Sequence, residues 1–309
     1  MATIRNFPFQ TLKLFLLLTA LLVALATAST PAQAKPSLVW QWQHPFSAQE
    51  QQVIRQWLTE VHNSMTDLYG ELPFPIYLKL YRVDRHTDDD MGEPVPWART
   101  RRQTNRQSLE FYIDTRYSLD DLRRDWTAPH EFSHLIFPYL GEKDAWLAEG
   151  FASYLQYQVM KKIGVIDGYT HQQRLIKQIQ KAEKNYAISP ALRSFRQSEL
   201  PAFAEVAPVL RLYGDHPTMY WGGAVFFLQV DAQLQKKGGL QSVLKRYIKC
   251  CRTLSYQDHS EQTTQQLLDT LDRLSFSQIF SDTYQQFQSK AGFPEYRKFI
   301  RSFDQSSAN

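Results

Sequence analysis

The chain has 309 residues, of which 43% are hydrophobic and 21% charged, with 12 glycines and 15 prolines. That composition excludes a disordered or collagen-like chain, and the length suits one large domain or two small ones. Two cysteines exclude a disulfide-dense scaffold and a four-thiolate zinc ribbon, and a net charge of +4 is too small to point to nucleic acid.

Residues 1–34 read as a signal peptide. Arg5 and Lys13 are the only charges before the apolar run Leu14 to Ala26. That run is too short for the ~20 residues a membrane-spanning helix needs. Small residues at Ala32 and Ala34 form a cleavage site, with Ala26 and Ala28 as a second one. No cysteine follows for lipid attachment, and no Arg-Arg pair precedes the run. The expectation is export by the general secretory route to the periplasm or the exterior, with no stable membrane anchor after cleavage.

Beyond the leader, Leu38 to Trp42 alternates like a strand. Ser47-Ala48-Gln49-Glu50 has the form of a capping box, in which a serine hydroxyl and a glutamate carboxylate satisfy the free N–H groups of a helix start. The helix it opens runs to about Tyr69. Phe74 to Tyr81 reads as a strand with Pro75 at its start. The polar stretch that follows holds Asp88-Asp89-Asp90 and the basic run Arg99 to Arg106, both read as surface loops because no calcium-loop spacing surrounds the acidic triplet. Ser108 to Asp114 is a further strand, with Leu109, Phe111 and Ile113 on one face. From there the periodicity is helical, around 130–140, 147–163, 168–186, 221–236, 240–254, 261–273 and 277–300. The fold class expected is α+β. A mixed α/β subdomain with an edge strand spans 35–126, a mainly helical part spans 127–309, and the active-site cleft lies between them. Adjacent Cys250 and Cys251 are read as buried thiols on a helix, because a ring closed between neighbours departs from ordinary disulfide geometry.

The chemistry is concentrated after residue 126. His130-Glu131-Phe132-Ser133-His134 is H-E-x-x-H, and Pro129 fits only a first helical turn, so it marks the helix start. Residues four apart project from one helical face, so His130 and His134 can grip one Zn2+ while Glu131 stands beside them as a base. A catalytic zinc site needs a third protein ligand. Glu149, 15 residues beyond His134, supplies it from a returning helix, in the setting Trp146-Leu147-Ala148-Glu149-Gly150-Phe151. A carboxylate among such side chains needs a partner.

These two segments together resemble the gluzincin zinc metallopeptidases, above all the branch of the M1 and M61 aminopeptidases. In that branch the second motif reads W-L-x-E-G-x-A-x-Y, matched by Trp146, Leu147, Glu149, Gly150, Ala152 and Tyr154. The branch also carries a tyrosine in Y-x-K-G-A. Tyr220-Trp221-Gly222-Gly223-Ala224 is similar, with Gly222 in place of the lysine. The resemblance implies Tyr220 as hydrogen-bond donor to the oxyanion, one zinc ion per chain, and a peptide or protein as substrate. It covers about residues 108–235. No G-x-M-E-N segment is present, so amino- and endopeptidase activity both stay open. Glu110, on the strand before the zinc helix, is a candidate to replace that segment, with a plain strand glutamate as the alternative. Tyr213 is a candidate to exchange roles with Tyr220, and His216 to line the cleft. His44, His62, His86, His171 and His259 lack ligand spacing. Two other readings remain: a zinc-containing, non-catalytic binding or scaffold protein of the cell envelope, and a metal-free helical protein carrying the motif by chance.

Overall fold

The structure, a computed structural model, describes residues 38–83, 92–103, 106–195, 200–253 and 262–300. The leader, Asp88 to Asp90, His86 and His259 therefore lie outside the described residues. Strand β1 (Leu38–Trp42) leads to helix α1 (Ala48–Tyr69), then β2 (Ile76–Arg82), β3 (Trp97–Gln103) and β4 (Arg106–Ile113). The capping box forms as expected: the Glu50 backbone N–H donates to Ser47 Oγ at 3.2 Å, and the Ser47 N–H to Glu50 Oε2 at 2.7 Å. The sheet order is β1-β2-β4-β3, with β1, β2 and β4 parallel and β3 antiparallel to β4.

Leu78, Leu109 and Phe111 point from the inner face of the sheet into the core. Phe111 meets Trp57 of α1 edge-on at 5.8 Å and stacks near Phe132 at 6.5 Å. The sheet thereby seats both α1 and the helix that carries the histidines.

The basic run Arg99 to Arg106 departs from the expectation. It is not a loop: Arg99 to Gln103 belong to β3, paired residue by residue with β4 and bordering the sheet. β3 lacks an alternating apolar face, and ladder hydrogen bonds to β4 hold it in place of burial. Glu110 consequently sits on an interior strand, where no substrate strand can be added. It is buried and ion-paired to Lys79 at 3.2 Å and Arg99 at 2.6 Å, and those cations keep its carboxyl below the ordinary range although burial alone would raise it.

The helices follow as α2 (Leu119–Arg124), α3 (Thr127–Ser133), α4 (Ala145–Ile163), α5 (Gly168–Ile188), α6 (Phe203–Leu212), α7 (His216–Leu234), α8 (Gly239–Cys250), α9 (Gln262–Ser275) and α10 (Ile279–Ser289). The architecture is α+β, as the patterns predict. Two helix ends differ. The histidine helix stops at Ser133 rather than near 140, tightening into i→i+3 bonds at Leu135 and Ile136 before Pro138. The final helix ends at Ser289, because Ala291 and Gly292 bridge back to Ala202 and Gly292 takes φ 87°. Helices α2 and α6 lie outside the segments with helical periodicity. Cys250 and Cys251 are likewise not buried thiols: they form a disulfide with each other where α8 ends, Cys250 exposed and Cys251 half-buried. Cys251 has already left helical geometry, at φ −133°, which frees the pair from helical spacing.

Helices α4 and α7 pack closest of all. A Cβ on Gly150 would overlap the Gly223 backbone, and one on Gly223 would overlap the Trp146 carbonyl. Glycine at both positions lets the two backbones touch. Among the described residues, no helix is long and apolar enough to cross a membrane.

Candidate metal centre

Helix α3 begins where Asp125 Oδ1 accepts the Thr127 N–H at 2.7 Å, and burial pushes the Asp125 carboxyl up to about 6 against the pull of those hydrogen bonds. One turn on, His130 and His134 emerge on the same face with ring centroids 4.8 Å apart and nearly perpendicular planes. His134 is already the C-cap, yet it keeps helical dihedrals (φ −58°, ψ −24°), so the four-residue spacing still brings both rings to one side.

Helix α4 returns across this face and presents Glu149. Its Oε2 lies 3.2 Å from His130 Nε2 and 3.4 Å from His134 Nε2. The three candidate ligand atoms all fall within 4.8 Å of one another. The two histidines are 3% and 8% exposed, so the group is shielded from bulk water on the protein side. Charge follows geometry. Burial opposes a charge on Glu149, but the imidazoles of His134 and His130 hold its carboxyl far below the ordinary range. Burial likewise opposes a charge on His130, and the Glu149 hydrogen bond and charge outweigh it.

The residues fit a divalent ion of the zinc type. Two imidazole nitrogens and one carboxylate form the donor set of an open catalytic zinc site. His130 Nδ1 is 3.0 Å from Gln156 Oε1, which leaves Nε2 facing the cluster. An outer partner of this kind fixes the ring and tautomer of a metal-binding histidine.

Glu131 points to the same cleft from the neighbouring position on α3. Thr100 of β3 holds it twice, donating from Oγ1 to Glu131 Oε2 at 2.8 Å and to its carbonyl at 3.1 Å. Arg102, two residues along β3, donates to the His134 carbonyl at 2.6 Å. Tyr220, in the first turns of α7, stacks over His130 at 5.8 Å. Burial raises its phenol well above its ordinary pKa of 10, and the Glu149 and Glu131 charges add to this, so the hydroxyl stays a donor. All five residues, His130, Glu131, His134, Glu149 and Tyr220, line one cleft of about 440 Å³ bordered by β3.

Other candidates fall outside it. Tyr213 is 57% exposed at the end of α6. His216 is exposed and tilted against Tyr220 at 6.1 Å, away from the cleft lining. Glu110 faces the opposite side of the sheet. Sequence reasoning missed Thr100, Arg102 and Gln156. Gln156 alone carried a positional signal, seven residues after Glu149 and so on the same helical face.

No protein-family model matches the chain, and no curated sequence matches it. Among solved structures, the chain is similar to an M1 zinc metallopeptidase from Deinococcus radiodurans, a mutant bound to a Tyr-Ser-Ala substrate, at 14% identity and a TM-score of 0.46 over 82% of this chain. The chain spans about half the length of that protein, 47% of it.

Proposed function

We propose that the protein is a zinc-dependent metallopeptidase that hydrolyses peptide bonds, with His130, His134 and Glu149 as ligands, Glu131 as general base and Tyr220 as oxyanion donor. The observation that carries this reading is the convergence of the three ligand atoms within 4.8 Å, in a cleft that also holds Glu131 and Tyr220. An ion held there supplies a Lewis acid and a water whose pKa falls toward ~7. Glu131, kept in place by Thr100, takes a proton from the attacking water as its oxygen bonds to the carbonyl carbon. The C–N bond then breaks, and Glu131 hands the proton to the departing amine. Tyr220 donates to the carbonyl oxygen as it gains negative charge. The free border of β3 beside the cleft favours an extended peptide, whose backbone can pair with it as an added strand.

A scaffold role that binds zinc without turnover needs ligands but no base. The hydrogen-bonded, cleft-facing Glu131 favours the enzyme. Export from the cytoplasm remains part of this proposal, on the leader at residues 1–34, and the paired cysteines agree with an oxidising compartment.

The test is hydrolysis of a diverse peptide mixture by wild type and by Glu131→Gln. Turnover should fall by about a thousandfold or more in the variant while zinc content is unchanged. Undiminished hydrolysis in Glu131→Gln would remove that residue from its role.

A further inference from the structure

A second cavity of about 430 Å³ adjoins the metal cleft, and Thr100, Arg102 and Tyr139 stand in the walls of both. Three arginines stand in its walls, Arg101 and Arg102 from β3 and Arg252 from just beyond α8; Arg101 is exposed and paired with Glu110 at 3.7 Å, which leaves Arg102 and Arg252. Arg252 is 6% exposed. Arg102 is half-buried, and its Nε is shielded from water with no partner among the described residues. Each is tied to the segment where the chain leaves the histidine helix: Arg102 Nη2 donates to the His134 carbonyl at 2.6 Å, and Arg252 Nε to the Leu135 carbonyl at 3.0 Å.

Carbonyl oxygens fix the direction of these groups without neutralising them. Among the described residues neither arginine has a carboxylate at ion-pair distance. Two desolvated cations that repel each other across a cavity are stabilised by an anion that both can reach. Opposite Arg102 in the β3–β4 register stands Gln107, 6% exposed, whose side-chain oxygen is buried and without a partner among the described residues. It is an acceptor suited to a ligand N–H.

We infer that this cavity receives a carboxylate of the peptide substrate, either an acidic side chain or the chain terminus, with Arg102 and Arg252 as its specificity-determining residues. The inference takes its substrate from the peptidase reading, while binding itself does not depend on turnover. Arg102 then links the two functions, since the same side chain touches the carboxylate site and braces the helix end that carries His134.

The experiment uses an otherwise uncharged peptide in which one Glu is walked along the sequence. Each member is compared with its Gln counterpart, and each is made both as free acid and as C-terminal amide. At one position Glu should exceed Gln in kcat/KM by about tenfold or more if a side chain is recognised; if the terminus is, the free acid should exceed the amide by that factor. Arg102→Gln and Arg252→Gln should each erase most of that preference. Gln266→Glu, which plants a competing carboxylate on the exposed rim and leaves both arginines in place, should lower it as well. Anisotropy of labelled peptides in chelator reads binding separately. Discrimination between acid and amide without turnover upholds the cavity and overturns the peptidase reading. Turnover with no acidic preference at any position overturns the cavity, and so does a preference that persists in all three variants.

Discussion

Gln156 decides which nitrogen of His130 faces the cluster. Its side-chain oxygen occupies Nδ1 at 3.0 Å, so the ring presents Nε2 to Glu149 and His134. Gln156→Leu should weaken zinc binding by about 10- to 100-fold, as loss of an outer partner typically does, while Gln156→Glu should retain most of it. Competition with a chelator of known affinity measures this, and an unchanged affinity in Gln156→Leu would deny the residue its positioning role. The three residues that the structure brings within 4.8 Å of one another were legible in the sequence as a group, because H-E-x-x-H and the returning glutamate have spacings that chemistry alone makes meaningful. Their supports were not. A glutamine in a buried helix has no motif, and Thr100 and Arg102 lay in a run of basic side chains whose polarity suggested solvent. Nor do residue types alone separate Tyr220 from Tyr213; the α7 geometry does so by stacking the first over His130 and leaving the second exposed.

At the scale of elements, the site depends on how closely α4 approaches α7, since one carries Glu149 and the other Tyr220. Gly150 and Gly223 make that approach possible. Gly150→Ala inserts a methyl group into the backbone of the facing helix, which cannot yield as a flexible side chain would. The expected destabilisation is about 1–3 kcal/mol or more, read from chemical denaturation, and a change within about 0.5 kcal/mol would mean the helices separate freely. A different contact of α7 accounts for Gly222: a Cβ there would overlap the Phe203 ring of α6. Helix periodicity and caps were readable from local residues, as the Ser47–Glu50 box shows. Helix ends were harder, because α3 stops at a tertiary turn before Pro138 and α10 at a bridge to Ala202. Neither interruption leaves a local apolar pattern.

Over the whole molecule, the sheet and α1 form a platform that seats α3, and α4 and α7 close over it from the other side. The α+β order of elements follows from the sequence. Which strand borders the sheet does not, since β3 earns its place through pairing with β4 and not through an apolar face of its own. That choice matters for function: it puts Thr100 and Arg102, rather than Glu110, beside the histidines. The most direct check is the zinc content of the purified protein, measured by mass spectrometry after dialysis, for wild type and for Glu149→Ala. Wild type should retain close to one zinc per chain and the variant far less, with the fold intact by circular dichroism. Zinc-free wild type that cannot be reloaded, or full retention in Glu149→Ala, would contradict a centre built from His130, His134 and Glu149.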